Sequence, residues 1–135
     1  MFYEFEIRTR NEEEIIDITK EIENIIEKSN VKEGIAHIFV PHVTAGVILN
    51  ESADPNIKID FLKAIERIVP KRNNYLHDRI DSNAAAHIKS AFIGSSLTIP
   101  IKDGNLYLGT WQSIMFCEFD GPRSRRKIIV QVISN

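Results

Sequence analysis

Cysteine and an excess of basic charge are what this chain has least of. One cysteine, Cys117, stands among 135 residues, so no internal disulfide can form and the fold must hold by packing. Lysine and arginine number 17 against 19 aspartates and glutamates, a net charge of -2. That balance argues against general binding to nucleic acid or to an anionic membrane surface, both of which need a positive excess. No apolar run approaches the length of a membrane span, and the alternating start Met1-Phe2-Tyr3-Glu4 lacks the basic and apolar regions of a signal peptide. A reducing cytoplasm is the expected location. Neither Gly-x-Gly-x-x-Gly nor Gly-x-x-x-x-Gly-Lys-Ser/Thr occurs, and the glycines of a nucleophile elbow are missing. No phosphate-cradling glycine loop and no Ser-His-Asp arrangement can therefore be argued.

What is present reads as one globular domain, 43% hydrophobic and 27% charged. Phe2 to Arg8 alternates apolar and polar, the pattern of a half-buried strand. Asn11 reads as a helix N-cap followed by Glu12, Glu13 and Glu14, and Ile15, Ile18, Ile22, Ile25 and Ile26 share a helical face, which predicts a helix over 12–29. Strands follow at Ile35–Val40 and Gly46–Leu49 around a short polar bend. Asp54-Pro55 opens a helix whose apolar spacing runs from Ile57 to Val69 and stops at Pro70. Residues 71–83 read as a loop and Ala84–Phe92 as a short helix. Gly94–Ile101 is a strand, Lys102-Asp103-Gly104-Asn105 a hairpin turn, Leu106–Phe119 the returning strand, and Lys127–Ile133 the last one. The sum is an α+β fold, a single compact domain of mostly antiparallel or mixed β-sheets packed with two main helices. Sheet edges in so short a chain need cover, and a symmetric oligomer is one way to provide it.

The chemistry-bearing residues gather at element ends. His42 lies in the bend after a strand, His77 in the irregular loop and His87 in the short helix, whereas His37 sits inside an apolar strand and reads as a core or sheet-face histidine. Three imidazoles with water are a recognised catalytic zinc arrangement, and imidazole also serves general acid–base work near neutral pH. The separations of 35 and 10 residues (from 42 to 77 to 87) are not a local ligand signature, so both readings stay open. Glu51, at the end of a buried strand, is a candidate base or support for another catalytic group, while Asp54 reads as a cap and Asp60 flanks an apolar helix face. Gly94-Ser95-Ser96 offers donors to an anion or an ordinary turn. Gly109 to Arg123 forms a strand with polar ends. Cys117 belongs to its core, and Arg123, Arg125 and Arg126 beyond it suit phosphate or carboxylate.

Several of these pieces, in this order, resemble the YjbQ-like family of small conserved proteins. They are His42-Val43-Thr44-Ala45-Gly46 with Asn50-Glu51 and Asp54-Pro55, then Tyr75-Leu76-His77, Asn83, Ala86-His87, Gly94-Ser95-Ser96 and Ile99-Pro100. Gly104, Leu108-Gly109-Thr110-Trp111-Gln112 and Glu118-Phe119-Asp120-Gly121-Pro122-Arg123 complete the set, which spans nearly the whole chain. Val43 departs locally from the polar or small residue often found in relatives, but His42 and Thr44 on either side are retained. The resemblance implies a compact α+β homotrimer with a cleft near the histidines. It implies functional roles for His42, Thr44, Asn50, Glu51, His77, His87, Gln112 and Arg123. Some members of the family are described as secondary thiamine-phosphate synthases, which join a hydroxymethylpyrimidine diphosphate to a thiazole phosphate and expel pyrophosphate. On that basis the partner is a phosphorylated small-molecule substrate. Arg123 would bind phosphate, with Arg125 or Arg126 as substitutes. His42, His77 and His87 would hold a divalent metal ion, zinc or magnesium, or act with Glu51 as acids and bases. Thr44, Asn50 and Gln112 would bind and orient the substrate. The alternatives are a non-catalytic metal- or metabolite-binding protein and a metal-dependent hydrolase using the same histidines.

Overall fold

Strand β7, Ser113–Glu118, explains the architecture, because its two faces are buried against different partners. In a computed structural model describing residues 1–135, β7 is the middle of a three-stranded antiparallel sheet ordered β2-β7-β4, with β2 at Glu14–Asp17 and β4 at Ala45–Asn50. Ile114 and Phe116 point into the main core, where they meet Ala36, Ile38, Ile99, Ile128 and Val130 of a five-stranded sheet. Met115 and Cys117 point the other way, onto Ile65 of helix α2 (Asn56–Ile68) and Ala86 of helix α3 (Ala84–Ile93). Burial on both faces is why this strand is a continuous apolar run rather than an alternating one. Cys117 is fully enclosed, and burial pushes its thiol up to about 12, so it is a core residue as expected.

The five-stranded sheet is ordered β1-β8-β3-β5-β6 and every pairing is antiparallel. Its strands are β1 (Phe2–Ile7), β3 (Gly34–Phe39), β5 (Ser96–Lys102), β6 (Asn105–Leu106) and β8 (Arg126–Ser134). Helix α1 (Thr19–Ser29) adds Ile22 and Ile26 to the main core. His37 lies on the outer part of β3 with its Nδ1 2.9 Å from the Thr98 hydroxyl across the strand pair, the sheet-face reading of that residue. The α+β class stands, as a single domain of antiparallel sheets with three α-helices. No helix is long and apolar enough to cross a membrane.

Two elements differ from the sequence expectation. The helix predicted over 12–29 begins only at Thr19; Glu14–Asp17 is a strand, and Asn11 caps nothing helical. Ile15 and Ile18 fit a helical face and a strand-then-helix equally well, and pairing of Ile15 with Cys117 decides the matter. The operative start signal is Asp17, whose carboxylate accepts hydrogen bonds from the Thr19 N–H and hydroxyl. The single strand predicted over Leu106–Phe119 is broken between β6 and β7. There the Gln112 amide oxygen accepts the Gly109 N–H at 2.8 Å and closes a turn. At the entry to α2, Asp54 accepts the Asn56 N–H at 2.9 Å, as its capping role requires. The loop 71–83 contains one 3-10 turn, Leu76–Arg79.

Candidate functional site

The bend between β3 and β4 carries the chain from one sheet to the other, and His42 sits at its middle. Its Nε2 accepts the Lys127 N–H of β8 at 2.9 Å, so the neutral ring carries its proton on Nδ1. Burial lowers the pKa of His42 below the usual histidine range, and the Arg126 charge adds to the effect. Thr44 ends the bend, buried, its hydroxyl accepting from the Arg126 guanidinium at 2.8 Å. Beside them a cleft of about 620 Å³ opens, lined by His42, Thr44, Asn83, His87, Ser95, Asp120, Arg123 and Arg126 among others.

Under the cleft floor lies a buried ion pair. Arg126 starts β8 on its inward face and Glu118 ends β7 on the face that carries Phe116, so a two-pronged contact joins the two sheets. Thr9 donates its hydroxyl to Glu118 at 2.8 Å and the Asp120 N–H donates at 2.9 Å. Burial alone would raise the Glu118 carboxyl; the Arg126 fork and these two donors outweigh it and hold the group below its ordinary value. Arg126 is thereby already neutralised.

On the rim, Asn83 donates to the Asp120 carboxylate at 2.9 Å, and the same oxygen accepts from Arg123 at 2.9 Å. The carboxylate accepts, so Asn83 must present its NH₂ there, which leaves its Oδ1 buried without a donor. His77, on the 3-10 turn, stacks edge-on against His87 with ring centroids 4.6 Å apart, and its Nε2 is shielded from solvent with no hydrogen-bond partner. Asp81 is 3.9 Å from that nitrogen, beyond a hydrogen bond. Of the two orphaned atoms only the Asn83 oxygen belongs to a residue that lines the cleft, where a ligand donor would satisfy it; His77 adjoins the cleft through the His87 ring.

The structure brings together His42, Thr44, His87 and Arg123 around the cleft, with His77 against His87. It does not bring Asn50, Glu51 or Gln112 there. Asn50 pairs with Ser113 at the far end of β4 and accepts the Glu51 N–H, and Gln112 holds its own turn just before Ser113. The two ends of β4, a six-residue strand, stand roughly 17 Å apart. No three His, Cys, Asp or Glu side chains stand close enough to hold a metal ion, so one chain does not assemble His42, His77 and His87 into a ligand set for zinc or magnesium. Asp81 was not expected in the site, and no role was expected of Asp120 and Glu118 although they lie in the motif that ends at Arg123. Glu118 carried a further signal, as a charge in step with the inward-facing residues of an apolar strand.

The lowered pKa of His42 has a sign in stability. Protonation turns Nε2 into a donor facing the Lys127 N–H, so the unfolded chain takes up the proton more readily than the folded one. The stabilisation is fully present above the unfolded value of about 6.5 and is lost as pH falls below it. Urea midpoints are expected to fall between about pH 7 and pH 5.5 in the wild type and to change less in His42→Gln. Equal slopes would remove His42 as the source.

The family model for UPF0047 YjbQ-like proteins matches residues 3–135. A UPF0047 protein of Methanocaldococcus jannaschii is 48% identical over 135 residues, which is 100% of this chain and 96% of that protein. The UPF0047 protein YugU of Bacillus subtilis is 42% identical over 125 residues, covering 93% of this chain and 94% of the relative. A crystal structure of a protein of unknown function from Sulfolobus solfataricus superposes with a TM-score of 0.97 at 38% identity, covering 100% of this chain and 97% of that one. None of these names carries an activity.

Proposed function

The chain belongs to the UPF0047 YjbQ-like family, and on that footing we propose that it is a small enzyme acting on phosphorylated metabolites, of the secondary thiamine-phosphate synthase kind. The observation that carries the reading is the convergence of two imidazoles, a guanidinium fork and the Ser95 hydroxyl on one cleft of about 620 Å³. That volume suits a small metabolite. In such a reaction the bond from the pyrimidine methylene carbon to the diphosphate oxygen breaks, and the thiazole nitrogen forms the new bond to that carbon. The task left to the protein is to hold the two substrates and to stabilise the departing diphosphate. Arg123, pinned by Asp120, presents its charge to the phosphates. His42 stays neutral at pH 7 and offers Nδ1–H as a hydrogen-bond donor rather than a second positive charge. His87, backed by the His77 ring, is the group to protonate the leaving oxygen. The incomplete metal ligand set of the single chain gives no ground for routing a step through a metal ion.

The protein acts as a homotrimer in this reading. Leu76 on the 3-10 turn, Ile80 just after it, and Ile88 and Phe92 on α3 are exposed apolar side chains, surface that a neighbouring copy would cover. Assembly would also offer Glu51 and Gln112 a route to the cleft of another subunit.

Incubation of the purified trimer with hydroxymethylpyrimidine diphosphate and thiazole phosphate is expected to release pyrophosphate, with the mass by light scattering at three chains. His87→Ala should lower the rate by about a hundredfold, the smaller end of what general acid catalysis supplies. A wild-type protein that binds either substrate without turnover would reduce the site to a binding cleft. An unaffected His87→Ala would remove that residue from the reaction.

A further inference from the structure

Both arginines of the cleft already have anionic partners: Arg126 has Glu118 and Arg123 has Asp120. Unspent positive charge lies next door. Arg8 and Arg10, both exposed, flank the buried Thr9 in the segment after β1, and both line one cavity. Thr9 is zipped to Arg123 from both directions. Its N–H donates to the Arg123 carbonyl at 2.8 Å, and the Arg123 N–H donates to its hydroxyl at 2.8 Å. This pairing sets Arg8 and Arg10 against the turn Pro122-Arg123-Ser124, and a second cavity of about 490 Å³ forms between them.

The lining of that cavity is unusual for a protein of net charge -2. It holds Arg8, Thr9, Arg10, Pro122, Arg123 and Ser124, with no carboxylate and no hydrophobic residue. Neighbouring cations behave differently: Arg125 pairs with Glu6 and Lys127 with Glu4, whereas the Arg8 and Arg10 guanidinium groups enter no ion pair and no hydrogen bond, the Glu14 carboxylate accepting the Arg10 backbone N–H instead. The Thr9 hydroxyl and the N–H groups of Thr9, Arg10 and Arg123 are already engaged, so the side-chain donors left free are the Arg8 and Arg10 guanidinium groups and the Ser124 hydroxyl. Guanidinium forks and a hydroxyl lining one cavity that no carboxylate lines match the oxygens of a phosphate group. We propose that Arg8, Arg10 and Ser124, with Arg123 shared between the two cavities, form an oxyanion subsite for a phosphate or diphosphate group adjoining the histidine cleft. A molecule lying across Arg123 places its reacting end among the histidines and its anionic end on Arg8 and Arg10. The subsite deepens the reading above, since it names a substrate with a diphosphate or a second phosphate.

Titration calorimetry with inorganic pyrophosphate on the wild-type protein and on Arg8→Gln/Arg10→Gln tests it. Both side chains are exposed, so the double variant is expected to keep the wild-type melting temperature. Its pyrophosphate affinity should drop at least about tenfold. Binding of acetate at the same ionic strength should change much less. Unchanged pyrophosphate affinity, absent binding in the wild type, or equal weakening for acetate would each overturn the subsite. Failure of the proposed reaction looks different: pyrophosphate binding still depends on Arg8 and Arg10, but the wild type releases none from its substrates.

Discussion

Glu118→Ala is expected to cost about 3–5 kcal/mol of folding stability, the range for removing one partner of a buried ion pair. The variant leaves Arg126 charged and enclosed between the two sheets, with Thr44 as its remaining side-chain partner. It also strips acceptors from the Thr9 hydroxyl and the Asp120 N–H, each with a desolvation cost of its own. Denaturation in urea at neutral pH measures the loss. Glu118→Leu combined with Arg126→Met should be milder than Glu118→Ala alone, because no unpaired charge remains and apolar side chains fill the space. A single-variant cost below about 1 kcal/mol, the scale of an exposed pair, would show that the two sheets are not tied here. An acid-sensitive contribution follows as well. The Glu118 carboxyl is held below its ordinary value, so its stabilisation is present above the unfolded-state pKa and is lost as pH falls through the folded one.

The second large effect is expected at Gly121. A Cβ there would lie 2.1 Å from the Asn11 carbonyl oxygen, 2.9 Å from the Glu118 side chain and 3.0 Å from the Thr9 hydroxyl. The Asn11 carbonyl is backbone in a segment fixed to the turn, since the Gly121 N–H donates to the Glu12 carbonyl at 2.9 Å. The turn must therefore move away, and Asp120 and Arg123 move with it. Gly121→Ala should cost stability toward or beyond the upper end of the about 1–3 kcal/mol typical of overpacking. It should weaken pyrophosphate binding even where the protein is still folded. Gly109→Ala is the control, because its Cβ meets only the movable Gln112 side chain, at 3.3 Å. Comparable melting temperatures for the two variants would mean that the contact around Gly121 relaxes cheaply.

Residues that act through their neighbours in sequence were legible from sequence. The apolar strand around Cys117, the Asp54 cap and the polar bend at His42 depend on local pattern, and the structure keeps each of them. The group formed by His42, His87 and Arg123 was suggested by the family resemblance, since neither periodicity nor spacing brings positions so far apart together. Asn50, Glu51 and Gln112 looked like members of the same group because they share the motifs' polarity. Strand direction, which polarity does not encode, puts them at the other end of β4. The misplaced helix start has the same origin: Ile15 satisfies two periods, and only its partner on β7 chooses between them. Arg8 closed the alternation read from Phe2, and Arg10 carried no signal of its own. Their significance depends on Thr9 meeting Arg123, a pairing between segments more than a hundred residues apart.

The pairing of β1 with β8 also bears on how the chain acquires its shape during synthesis. β1 precedes the other seven strands in chain order, yet its neighbour in the sheet is β8, the eighth of them, and β3 likewise has β8 along one side. Until β8 has emerged, the alternating segment Phe2–Ile7 has no partner strand and the main core lacks Ile128, Val130 and Val132. The nascent chain therefore carries an open strand edge until β8 has been made, and the five-stranded sheet closes only then.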